Sequence, residues 1–125
     1  MHTSSAGQNA SETIRDMALQ SLDSDKATDI EVIDLRGQTS LADFMIVASG
    51  TSSRHVGAVA EKLTAKLEKQ AGLHDIRTEG QKNCDWVVID AGDVIVHVFK
   101  PEVRDFYNLE KMWRQPHPGA DIVTA

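Results

Sequence analysis

The chain has a single cysteine, Cys84, so no internal disulfide can staple it, and the fold must be held by packing. One thiol fits a reducing compartment. It also has only three prolines, one tyrosine, two tryptophans and three phenylalanines. A core for 125 residues must therefore be built mostly from Val, Ile, Leu and Ala. No run approaches about 18 consecutive apolar residues, so no membrane span is expected. The first residues, MHTSSAGQNASET, combine neither a basic start nor an apolar stretch, so no export signal is expected and a cytoplasmic location follows. Positive charge is also in deficit. Thirteen Lys and Arg stand against nineteen Asp and Glu, a net charge of −6. That sign opposes loose binding to a phosphate backbone unless a local basic patch overcomes it, so no direct nucleic acid is expected as the principal partner and a basic protein is favoured.

The length suits one domain. Residues 1–8 are small and polar and read as a disordered N-terminus; residues 9–115 read as the domain and 116–125 as an irregular tail. Asn9 and Glu12 have the spacing of a capping box. Ile14, Met17, Ala18 and Leu22 then mark one face of a first helix ending near Asp23. After a connection over residues 24–29, Ile30, Val32 and Leu35 alternate with polar residues as a half-exposed strand. Residues 44–48 form a continuous apolar run that reads as a buried strand. The intervening RGQTSLAD is short for a helical crossover, so these two strands are expected to be antiparallel.

Val56, Val59, Ala60, Leu63 and Leu67 mark a second helix ending near Gly72, followed by a strand around residues 76–78. Strand, helix and strand are expected to form a right-handed crossover. Residues 86–89 and 94–99, joined across Asp90, Ala91, Gly92 and Asp93, read as a hairpin. Pro101 stops the last strand. Val103, Phe106, Tyr107, Leu109, Glu110 and Trp113 then suggest short helical turns. The expectation is an α/β domain with a mixed five-stranded sheet and flanking helices, in the order α-β-β-α-β-β-β-α.

Several residue sets invite a chemical reading. Ser49, Gly50, Thr51, Ser52 and Ser53 precede Arg54 and His55 at a strand-to-helix junction, where free N–H groups can receive an anion or hydroxyls can cap the helix. The spacing of a phosphate-binding loop is absent. Asp43, Asp90, Asp93 and Asp105 offer oxygen ligands, yet Asp90 and Asp93 flank a turn, where Asp is favoured for bonding to the backbone. Cys84, His55 and His97 lack a recurrent zinc-ligand spacing. The reading expects neither a metal nor a cofactor. A nucleotide-binding or nucleotidyltransferase-like enzyme is the alternative that the loop and nearby carboxylates suggest.

Residues 86–113, WVVIDAGDVIVHVFKPEVRDFYNLEKMW, gather both tryptophans, the tyrosine and two phenylalanines. Trp86, Phe99 and Phe106 suit a core. Tyr107 and Trp113 sit in an amphipathic, Arg-flanked segment of the kind that makes protein contacts, because such rings bring area at modest ordering cost. His97 reads first as a hydrogen-bonded core or half-buried histidine, with an interface role second, and Arg104 has a local acidic partner as its alternative.

This block, together with DIEVIDLRGQTSLADFMIVASGTSSRHV over residues 29–56, resembles the ribosomal silencing factor family, also called the Iojap family. The similarity runs from the first helix to about Trp113. The resemblance implies a nucleotidyltransferase-like fold without catalysis, and a homodimer. It also implies a protein that binds ribosomal protein uL14 on the large subunit, sterically prevents subunit joining and so represses translation. No substrate is turned over in that mechanism. Carried onto this sequence, the contact residues are Trp86 and Phe106, Tyr107, Asn108 and Glu110, with His97, Arg104 and Trp113 nearby. One departure is visible: family members often place glycine or small residues before the tryptophan, where this chain has Asn83, Cys84 and Asp85.

Overall fold

A computed structural model describes residues 4–108 of the chain. The readings placed on residues 1–3, on Leu109, Glu110 and Trp113, and on the tail from Pro116 lie outside the described residues. The elements follow the expected order: α1 (Ser4–Ser24), β1 (Thr28–Asp34), β2 (Phe44–Ser49), α2 (Ser53–Gln70), β3 (Arg77–Glu79), β4 (Trp86–Asp90), β5 (Val94–Phe99) and α3 (Pro101–Tyr107). The strands form one five-stranded sheet in the order β1-β2-β5-β4-β3. β2 and β5 pair in parallel and every other pair is antiparallel, so the sheet is mixed.

Composition explains the placement of the strands. β2 and β5 are buried along their whole length, FMIVAS and VIVHVF, because they lie at the centre and both of their faces are covered. Such strands read as unbroken apolar runs. β1 is an edge strand and alternates only partly, with Val32 left 38% exposed. A crossover through α2 does connect β2 to a parallel β3, but it is wider than adjacent strands would need. β3 runs parallel to β2 and lies three places away, and the meander β3-β4-β5 then returns to seat β5 against β2.

α1 and α2 cover one face of the sheet. Ile14, Ala18 and Leu22 from α1 and Val56, Val59, Ala60, Leu63 and Leu67 from α2 pack on Phe44, Ile46, Ala48, Val87, Ile89, Val94, Val96 and Val98. The opposite face carries a second cluster of Ile33, Leu35, Ala42, Met45, Val47, Ile95 and Phe99, with Trp86, Val88 and Val103 against it. The period of two along β5 divides its side chains between these faces.

Two local readings are corrected. α1 begins at Ser4, so Asn9 lies within the helix rather than at its start, where the capping box was expected; Glu12 meets Arg36 at 3.3 Å. β1 begins at Thr28, inside the segment read as a connection, because a bulge between Thr28 and Glu31 absorbs Asp29 at φ 48°. Asp tolerates that left-handed conformation better than most residues.

Candidate functional site

The hairpin register brings the aromatic rings together. Trp86 lies directly opposite Phe99, and Val88 opposite His97. The Trp86 and Phe99 ring centroids are 4.8 Å apart at 33°. His97 stacks along β5 on Phe99 at 6.0 Å and 11°, and lies 5.9 Å from Trp86. These separations lie in the range where aromatic pairs attract beyond their area burial. The Trp86 indole Nε1–H donates to His97 Nδ1 at 3.0 Å. An indole nitrogen is only a donor, so His97 Nδ1 must be unprotonated there.

Burial pushes the His97 imidazole down from 6.5 to about 4. The bond from Trp86 acts in the same direction, since protonating Nδ1 would remove its acceptor. His97 is only 8% exposed. The folded state therefore binds this proton less readily than the unfolded chain, and the associated stability is complete above pH 6.5 and lost as pH falls towards 4. The loss is expected to be on the order of 3 kcal/mol. Urea unfolding of the chain and of His97→Gln across that window checks it: the variant should show a slope shallower by about one proton.

Pro101 closes β5 and opens α3, where its missing N–H costs nothing. Val103 packs against the second cluster. Arg104 is 8% exposed and donates from Nη1 to Ser49 Oγ at 2.8 Å, which ties α3 to the end of β2. Phe106 is 79% exposed, which corrects its reading as a core filler: the inward positions of this short helix are taken by Val103 and Arg104. Asn108 ends α3 at φ 49° and returns its N–H to Arg104 O at 2.7 Å, a left-handed cap that Asn readily adopts. Trp86, His97, Phe99 and α3 thus share one end of the sheet, while the side chain of Tyr107 and all of Glu110 and Trp113 lie outside the described residues.

Residues not picked out as contacts hold this end in place. Lys100 N–H donates to Asp85 O at 2.9 Å and its Nζ lies 3.6 Å from the Asp85 carboxylate, joining the turn before Trp86 to the start of α3. Ser53 Oγ also reaches Asp85, at 3.4 Å. In the same turn Cys84 has φ 57°, a conformation that glycine adopts more easily, which is the physical content of the departure noted before the tryptophan. Its Sγ donates to Gln81 O at 3.0 Å and packs so close to Gly57 that a Cβ there would lie 2.9 Å away.

The residues 49–55 loop is occupied by its own contacts. Ser52 Oγ accepts from His55 N–H at 3.1 Å as the N-cap of α2. Thr51 N–H donates to His55 Nδ1 at 2.9 Å, and His55 Nε2 meets Asp25 O at 2.8 Å. A carbonyl only accepts, so one tautomer, with its proton on Nε2, satisfies both contacts. Asp90 Oδ1 accepts from Gly92 N–H at 2.9 Å in the hairpin turn. Among the described residues no group of three or more His, Cys, Asp or Glu is arranged to hold a metal ion, and no helix is long and apolar enough to cross a membrane.

Comparison with known proteins agrees with this architecture. The family described as "Ribosomal silencing factor during starvation" matches residues 8–124. A protein of Zymomonas mobilis named ribosomal silencing factor RsfS is 48% identical over 82% of this chain and 76% of its own length. A crystal structure of a Chromobacterium violaceum protein superposes with a TM-score of 0.79 at 44% identity, covering 86% of this chain and 88% of that one. A Bacillus halodurans crystal structure gives 0.74 at 34% identity, covering 86% and 99%. Sequence and fold agree over most of the chain: this protein belongs to the ribosomal silencing factor family.

Proposed function

We propose that the chain binds ribosomal protein uL14 on the large ribosomal subunit and sterically blocks the joining of the small subunit, repressing translation. The docking face is the end of the sheet built on Trp86, His97, Arg104 and α3. Phe106 and Tyr107 supply its aromatic anchors, with Asn108, Glu110 and Trp113 beside them. Blocking is by occupation of space, and no substrate is turned over. The protein acts in the cytoplasm as a homodimer.

Phe106 is the observation that carries this reading. An aromatic ring left 79% exposed on the helix that carries the buried Arg104 presents most of its area to solvent and is suited to a partner's pocket. The net charge of −6 supports a basic partner, as complementary charge speeds encounter and rejects wrong surfaces. Family membership supports the ribosome as the target.

Co-sedimentation with purified large subunits, paired with capture of isolated uL14, tests the proposal. Saturable binding to both is expected. Failure to bind large subunits contradicts the reading as a whole, and binding to subunits without binding to uL14 contradicts the identity of the contact.

A further inference from the structure

We propose that His97 is a positioning residue for the docking face: its Nδ1 captures the Trp86 indole N–H and fixes the plane in which that ring meets the partner. The proposal rests on the docking role assigned to this face above.

The geometry has three parts. Trp86 is half-buried, so its N–H is withdrawn from bulk water and must find an acceptor. His97 supplies one at 3.0 Å from the neighbouring strand. His97 is itself held, being 8% exposed and stacked at 11° on Phe99, so the acceptor does not move to follow the indole. Phe99 then supports the indole from directly across the β4–β5 pair, at 4.8 Å. One neighbour fixes the polar edge of the indole and the other supports its ring. Without the acceptor, the indole gains by turning its N–H towards water, and a partner must then pay to reorder it.

This arrangement also decides what Trp86 offers. Its one polar group is directed inwards, so any contact that it makes with a partner is through carbon. The same bond fixes the His97 tautomer, with the proton on Nε2.

His97→Phe keeps a flat ring of similar shape and removes the acceptor. His97→Gln restores an acceptor oxygen, one bond further from the backbone than Nδ1, on a side chain flexible enough to bring it to the indole. Affinity for purified large ribosomal subunits is expected to fall about 5-fold in His97→Phe, mainly through faster dissociation, and to return to within about 2-fold in His97→Gln. In a Trp86→Phe background the His97→Phe change should have no further effect on affinity, because the group being positioned is gone. Nitrogen-15 NMR of the free protein, with the Trp86 indole assigned by its disappearance in Trp86→Phe, should show an indole N–H protected from exchange in the parent and in His97→Gln but not in His97→Phe.

Parental affinity in His97→Phe despite loss of that protection overturns the proposal. So does an equal loss in the presence and absence of the indole, which would mean that His97 acts by itself or through the fold. If His97→Phe does not fold, the exchange measurement on the parent and on His97→Gln decides, and an unprotected parent indole overturns the proposal. If the parent does not bind large subunits, the docking reading falls and this inference falls with it, a result distinct from selective failure of the variants.

Discussion

Gly80→Ala is expected to cost about 3 kcal/mol or more of folding stability, far above an ordinary surface substitution. Gly80 has φ +91°, and a Cβ placed on it would collide with Trp86 O and sit 3.1 Å from Trp86 C and 3.3 Å from Val87 Cα. All three are backbone atoms of β4, so no side chain can rotate away, and the strand itself must shift. The turn is also closed on the same residue, as Cys84 N–H donates to Gly80 O at 2.9 Å. Gly92 is the control. It has φ +87° in the β4–β5 turn, with nothing within 4 Å of an added Cβ. Gly92→Ala should therefore show the conformational cost alone, about 1 kcal/mol. Urea unfolding of the two variants separates close approach from backbone strain, and equal losses would contradict the contact with Trp86. Gly80→Ala should also weaken docking, because the displaced strand is the one that carries Trp86.

The second large effect is on binding rather than stability. Phe106→Ala is expected to reduce affinity for large ribosomal subunits by about 10-fold or more, as hot-spot aromatics do, while changing the thermal midpoint little. At 79% exposed the ring buries little area that folding would miss. Tyr107→Ala should weaken binding in the same direction. A titration of each variant against large subunits, with circular dichroism alongside, checks both statements. Parental affinity in a folded Phe106→Ala would remove α3 from the docking face.

Local physics made much of this fold legible. The five apolar positions of α2 recur at helical spacing and are the five that it buries. The β4–β5 hairpin could be placed from its alternation and its Gly-containing turn, and the antiparallel β1–β2 pair from the shortness of residues 36–43. Long-range pairing was not legible. Phe44 and Val94 are register partners in the parallel pair β2–β5, and nothing local to either strand reports that the last strand inserts beside the second. Several site contacts were hidden for the same reason: Arg104 reaches Ser49 across 55 positions, and Asp85 reaches Ser53 across 32. Ser49 looked like part of an anion loop because its sequence neighbours are hydroxyl residues, whereas it is 1% exposed and serves as an acceptor for α3. The Trp86–His97 bond was similarly invisible, although both residues were singled out, since two residues 11 apart in sequence meet only once the hairpin register is known. Family resemblance supplied the ribosome; the side-chain geometry supplies a reason for the aromatic cluster to be rigid.

Subunit joining is the direct measurement. Purified large and small subunits are mixed after the large subunit has been incubated with increasing amounts of the protein, and joined ribosomes are followed by light scattering. The amount of joined ribosome should fall in proportion to large-subunit occupancy, with Phe106→Ala shifting the curve to higher concentration. Undiminished joining at a concentration that saturates the large subunit would contradict the central claim that this domain works by occupying the joining surface.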